Sequence, residues 1–189
     1  MNQKNYATLQ TNPEEAVCLV APDLTHPNQS SQILNDCMAP WTKIRKAEGN
    51  ELEIKHIRIG DMLQGRNGTF LRVVNVWRGR ERDGMLALTI GENIGRELVL
   101  TPDHPILVRG DDGKEYWRPA GSCKVGEYVW REDWQSGEWV KIDRIEKREE
   151  PMDVWNLELM DIKEQTARGG KAMIAEGILV GDFAMQNSI

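Results

Sequence analysis

The chain has 189 residues, 40% of them apolar and 29% charged, with a net charge of −6. That length gives one ordinary domain with room for flanking segments. The acidic balance, with no dominant basic patch, argues against a nucleic-acid or anionic-membrane binder. No apolar run approaches the ~20 residues that a spanning helix needs, and the N-terminus shows no basic-then-apolar leader pattern, so a cytoplasmic protein is expected.

Residues 1–36 are polar and proline-bearing, with little periodicity beyond a short apolar stretch at Ala16–Ala21. They read as a flexible flank. From Cys37 onward the pattern changes to short runs bounded by glycine and charge: TKIRKA, HIRIGDML, FLRVVNVWR, MLALTIG, RELVLT, PILVRG, GEYVWRE, EWVKIDRIE, DVWNLELM and KAMIAEGILVG. Many alternate apolar with polar residues, the signature of half-buried strands. No run carries a long helical stripe, so the expected fold is all-β, with about ten or more short strands.

The chain also repeats itself. Residues 56–81 (HIRIGDMLQGRNGTFLRVVNVWRGRE) resemble 122–150 in the order of apolar pair, Gly-acid turn, apolar step, polar loop and long strand. ELVLTPDHPILVRGD (97–111) likewise corresponds to KAMIAEGILVGD (171–182), with HPILVRGD and EGILVGD agreeing after one deletion. Such duplication predicts two similar β-subunits about a pseudo-twofold axis. Cys123 is read as the counterpart of Arg58, on a strand.

The three cysteines, Cys18, Cys37 and Cys123, are odd in number and widely spaced, which is no disulfide framework. His26, His56 and His104 form no close pair with a cysteine or another histidine, so no metal site is expected. The seven tryptophans read as core packing, because few positive charges interleave with them. Isolated cysteines are most often buried hydrophobes. That reading suits Cys123. For Cys37 it competes with a role as nucleophile.

The order of motifs from Cys37 onward resembles the Hint domains, the family of inteins, bacterial intein-like domains and Hedgehog autoprocessing domains. The first motif corresponds to Cys37, Thr42, Glu48-Gly49 and Gly60-Asp61. The second, T-x-x-H, is Thr101-Pro102-Asp103-His104. The last comprises the aromatic strand VWNLEL and the turn from Ala175 to Val180. The resemblance covers 37–182, leaving 1–36 as an extein-like flank and 183–189 as a tail. It implies a horseshoe-like β-fold, acting as a monomer without metal or organic cofactor. It also implies that Cys37 attacks the carbonyl of Asp36 to form a thioester. Thr101 would stabilise the oxyanion through its hydroxyl or N–H, and His104 would protonate the departing nitrogen. The substrate is the chain's own N-terminal flank, and Asp36 is placed to assist hydrolysis. A small external thiol or amine is the alternative acceptor.

The C-terminal half of the family's apparatus is altered. Asp182 stands where an asparagine is usual, Phe183 follows it in place of a hydroxyl or thiol residue, Asn156 replaces an aspartate and Lys171 a histidine. Splicing and C-terminal cleavage are therefore expected to be impaired. Asn187-Ser188 offers a displaced junction. Two rival readings are a non-catalytic β-module that retains the scaffold, and Hedgehog-like transfer to a separate acceptor.

Overall fold

The computed structural model describes residues 37–91, 96–133, 136–163 and 170–185. Asp36, the remainder of the N-terminal flank and Asn187-Ser188 lie outside them. Thirteen strands run in chain order: β1 (Lys43–Arg45), β2 (Glu51–Glu53), β3 (Met62–Gln64), β4 (Phe70–Glu81), β5 (Met85–Ile90), β6 (Glu97–Leu100), β7 (Pro105–Arg109), β8 (Glu115–Pro119), β9 (Tyr128–Glu132), β10 (Gly137–Arg148), β11 (Met152–Asp161), β12 (Ala172–Ala175) and β13 (Ile178–Gly181). The all-β expectation holds. Among the described residues the only helices are single 3-10 turns at Ile54–His56, Arg66–Gly68 and Ala120–Ser122, and none is long and apolar enough to cross a membrane.

The repeat is visible in the hydrogen bonds. In the first copy Gly60 N–H donates to Val73 O (2.8 Å), Val73 N–H to Asp61 O (2.9 Å), and the Asp61 carboxylate caps Arg58 N–H (2.8 Å). In the second, Gly126 N–H donates to Ile142 O (2.8 Å), Ile142 N–H to Glu127 O (2.8 Å), and the Glu127 carboxylate caps Lys124 N–H (2.8 Å). Both glycines have positive φ, +92° and +96°. This alignment corrects the pairing of Cys123 with Arg58. Cys123 is the counterpart of Ile57, not Arg58; each closes a 3-10 turn with its N–H on the carbonyl three residues back, and each is buried in the main core. Nor is Cys123 on a strand.

The long strands exchange partners between the two copies. β4 forms a hairpin with β3 and pairs along its length with β11; β10 does the same with β9 and β5. β7 and β13, the aligned HPILVRGD and EGILVGD strands, run antiparallel side by side with Val180 opposite Ile106, as a twofold relation requires. Leu107 and Leu179 share a buried cluster there. The main core, which includes Met38, Leu88, Leu100, Leu157 and Val180, draws on strands of both sheets.

Two features differ from the sequence pattern. The run KAMIAEGILVG is two strands, β12 and β13, joined by a turn in which Glu176 (φ +50°) and Gly177 (φ +84°) are both left-handed. The short strands β2 (ELE) and β8 (EYWRP) lie where no alternation was visible; each is the return arm of a hairpin, on β1 and β7.

If Gly60 and Gly126 are true counterparts, they respond alike. A Cβ at either meets nothing within 4 Å. Gly60→Ala and Gly126→Ala are therefore each expected to lose about 1–2 kcal/mol, from the positive φ alone. Urea midpoints check this; a large disparity between the two would contradict the pairing.

Candidate active site

The segment Cys37–Ala39 is a strand in miniature, held from both sides. On one side, Thr101 N–H donates to Cys37 O (2.8 Å) and Ala39 N–H to Val99 O (3.0 Å). On the other, Met38 exchanges two hydrogen bonds with Trp155 of β11 (2.8 and 3.0 Å). The segment thus joins the edge strand β6 of the ten-stranded sheet to β11 of the three-stranded one. Strand alternation turns Met38 into the main core, and Cys37 and Ala39 into a second cluster with Trp77, Met85, Val99 and Val154. Cys37 is reduced and has no exposed surface.

Thr101 brackets Cys37. Its hydroxyl accepts the Cys37 N–H at 2.8 Å while its own N–H donates to the Cys37 carbonyl. The Thr101 hydroxyl also donates to the Cys37 carbonyl at 3.4 Å. The backbone N–H is committed to the Cys37 carbonyl, not to the carbonyl of residue 36, and the hydroxyl sits on the nitrogen side of the 36–37 peptide bond. The following turn is closed by His104 N–H on Thr101 O (3.1 Å). It is docked onto the 3-10 turn at Ala120–Ser122 by Gly121 N–H on Pro102 O (2.6 Å) and Ala120 N–H on His104 O (2.9 Å). The approach is close at Gly121, where a Cβ would lie 3.1 Å from Pro102 Cβ. His104 is fully buried, at the end of the turn whose first residue grips Cys37. Thr101 and His104 are thus on the Cys37 side of the fold.

The C-terminal end arrives at the same strand. Phe183 N–H donates to Leu157 O (2.9 Å), two residues along β11 from the Trp155 that binds Met38. At strand rise those two attachment points are roughly 7 Å apart. Asn156 lies between them, fully buried, with its Oδ1 accepting Leu157 N–H (2.7 Å). Asp182 is also fully buried. One carboxylate oxygen accepts Lys171 N–H (2.9 Å) and Met185 N–H (3.2 Å), and the other accepts Leu159 N–H (3.0 Å). Lys171 takes part through its backbone, its carbonyl accepting Asp182 N–H (2.8 Å). Packing continues past Asp182: Phe183 stacks on Trp77 with ring centroids 4.8 Å apart, and Met185 is buried.

Solved structures share this arrangement. A crystal structure of the TvoVMA intein superposes with a TM-score of 0.65 at 16% identity, covering 78% of this chain and 97% of that one. The DnaB intein from Synechocystis sp. PCC 6803 gives 0.61 at 17%, covering 78% and 98%. A bacterial intein-like domain from Clostridium thermocellum gives 0.57 at 20%, covering 77% and 97%. The chain has the intein, or Hint, fold. No protein-family model and no curated protein matches it in sequence.

Within this Hint fold the remaining cysteine of the described residues is inert. Burial pushes the Cys123 thiol up to about 11, so at neutral pH it is protonated and a poor nucleophile. Among the described residues, no three His, Cys, Asp or Glu side chains are grouped as metal ligands would be. Sequence reasoning named Phe183 only for the hydroxyl it lacks. Its stacking on Trp77 left no local pattern, because the partners are over a hundred residues apart.

Burial raises the Asp182 carboxyl to about 6, more than its three N–H donors lower it. Between roughly pH 4 and pH 6 the folded chain therefore holds a proton that the unfolded chain has lost, and raising the pH strips it at a cost. This group is expected to reduce stability by up to about 3 kcal/mol across that window, and to add no slope above it. Other carboxylates contribute slopes of their own, so the measurement is the difference between wild type and Asp182→Asn in urea unfolding from pH 4 to 7.5. Parallel curves would refute the assignment.

Proposed function

We propose that the Hint domain is a self-processing unit that acts once, on the peptide bond between Asp36 and Cys37. The Cys37 sulfur attacks the carbonyl carbon of residue 36, the S–C bond forms and the C–N bond breaks. The thiol proton ends on the new amino group of Cys37. The resulting thioester is hydrolysed, or exchanged with a small thiol or amine, releasing residues 1–36. The reaction needs no cofactor.

The observation that carries this reading is the pair of 2.8 Å hydrogen bonds between Thr101 and Cys37. They fix the nitrogen that must leave and put a hydroxyl on it. As that nitrogen pyramidalises, its lone pair becomes an acceptor, and the hydroxyl can turn from accepting to donating. His104, ending the same turn, is the proton source behind it, since imidazole exchanges protons near neutrality. Holding nucleophile and amide in one strand makes the attack intramolecular and removes most of its entropic cost.

The C-terminal step is expected to fail. Asparagine in the Asp182 position would offer an amide nitrogen to attack its own carbonyl. Here both carboxylate oxygens are committed to backbone N–H groups, and Phe183 brings no nucleophile. The complete burial of Cys37 favours one rival, a non-catalytic module keeping the scaffold.

The two are separated by intact mass after incubation of the purified chain with dithiothreitol. Wild type is expected to lose residues 1–36, with no cleavage at Asp182–Phe183. Cys37→Ala should stay whole, and His104→Ala or Thr101→Val should slow release by about a hundredfold, the usual loss for a missing proton-transfer partner. A wild-type chain that stays intact over days would leave only the module.

A further inference from the structure

We propose that Glu176 is a positioning residue for Cys37: it anchors the far end of the short segment whose near end Thr101 holds. The role rests on the self-processing reading for its purpose, while the anchor itself is geometric. Glu176 stands to β12 as Thr101 stands to β6, each being the first residue after its strand. Met38 lies opposite Leu100, the last residue of β6, and Ile44 lies opposite Ala175, the last residue of β12. Thr101 grips the residue before Met38. Glu176 grips the residue before Ile44 in the same reciprocal way: its carboxylate accepts the Lys43 N–H at 2.7 Å, and its own N–H donates to the Lys43 carbonyl at 2.8 Å. The segment from Cys37 to Lys43 is thus clamped at both ends, by corresponding residues of the two copies.

Two observations point beyond packing. The first is strain. Glu176 holds φ at +50°, and among the described residues the other non-glycine with positive φ is Asn67. Asparagine visits that region readily, whereas glutamate is strained there and glycine would not be. Such an outlier persists where its surroundings require it, and here the side chain is what reaches the Lys43 nitrogen. The second is that the clamp is tied back to β6. Arg96, the residue before β6, donates to both carboxylate oxygens of Glu51 (2.9 and 2.8 Å) and lies 4.0 Å from the Glu176 carboxylate. A ring closes: from Cys37 along the chain to Lys43, across to Glu176 and Arg96, then along β6 to Thr101 and back to Cys37. The segment between the clamps has little slack, because Thr42 N–H closes a turn on Ala39 O (3.0 Å) and Pro40 has a fixed φ. A shift at Lys43 is therefore passed to Cys37, whose nitrogen must stay against the Thr101 hydroxyl.

The test compares Glu176→Ala, which keeps the strain and loses the acceptor, with Glu176→Gln, which keeps a carbonyl oxygen for the Lys43 N–H. Glu176→Gly, which also relieves the strain, takes the place of the alanine variant if that one does not fold. Release of residues 1–36 under dithiothreitol is expected to slow about tenfold in Glu176→Ala, the scale of one backbone donor left without its acceptor, and to stay within about threefold of wild type in Glu176→Gln. In a Cys37→Ala background, which keeps the chain whole, amide exchange followed by NMR reads the segment without cleavage. There Glu176→Ala is expected to speed exchange at positions 37 and 43 about tenfold each, and to leave unchanged the Ile142 N–H, which is bonded to Glu127 O in the second copy. The anchor is overturned if position 43 responds without position 37, if Ile142 moves as much as position 37, or if the glutamine variant is as slow as the alanine one. A chain that never releases 1–36, yet whose position 37 responds, keeps the anchor and loses the processing reading. A chain that releases 1–36 at the wild-type rate in Glu176→Ala keeps the processing reading and loses the anchor.

Discussion

Two hydrogen bonds between Thr101 and Cys37 tie the start of the domain to its interior. Both polar backbone groups of Cys37 are buried, so both need partners, and an unsatisfied one would cost about 1–3 kcal/mol. One threonine supplies both, an acceptor from its side chain and a donor from its backbone. A serine would offer the same atoms, but β-branching limits the rotamers of threonine and keeps the hydroxyl aimed. Because the Thr101–His104 turn is itself anchored at Pro102 and His104, the grip on Cys37 is referred to the body of the fold rather than to a loop.

That anchoring depends on the duplicated architecture. β4 and β10 each leave their own hairpin to pair with a strand that belongs, by repeat, to the other copy. The exchange makes β11 a central rail. It pairs with β4 along one edge, and its other edge receives the first described residues of the chain at Trp155 and the last at Leu157. Ends almost 150 residues apart in sequence are thereby neighbours, and the neighbourhood is enforced by backbone pairing rather than by particular side chains. Side-chain chemistry at one end can then change while the geometry of the other survives.

How much of this was legible in the sequence depends on the range of the interaction. Strand alternation, the Gly-acid turns and the order of motifs are local, and they led to the β-class, the duplication and the candidates Cys37, Thr101 and His104. What failed was register and long-range contact. The pairing of Cys123 with Arg58 was one residue off, since HIRIGD set on SCKVGE already puts it opposite Ile57; that it lies off a strand was not legible, because nothing local marks Ile54–His56 and Ala120–Ser122 as 3-10 turns. Within KAMIAEGILVG the turn expected over Ala175–Val180 is shorter than the sequence shows: only Glu176 and Gly177 are left-handed, and Ile178–Gly181 already returns as β13 onto β12. Which partner the Thr101 N–H serves, the Cys37 carbonyl, is likewise a matter of geometry that spacing does not encode.

Asp182 shows where folding and chemistry compete. A carboxylate that accepts three backbone N–H bonds holds together the end of β11, the start of β12 and the turn after β13. An asparagine could accept through one oxygen only, and its amide would turn a donor toward other donors. Three N–H donors therefore converge on an accepting side chain, although burial makes its ionised form costly. Clamping the segment also presses Phe183 onto Trp77, adding apolar burial that a hydroxyl or thiol residue would forgo. The clamp thus seats the aromatic ring. The N-terminal end shows no such conversion. Its thiol, hydroxyl and imidazole all remain, although each is buried and polar or reactive where an apolar side chain would pack at lower cost.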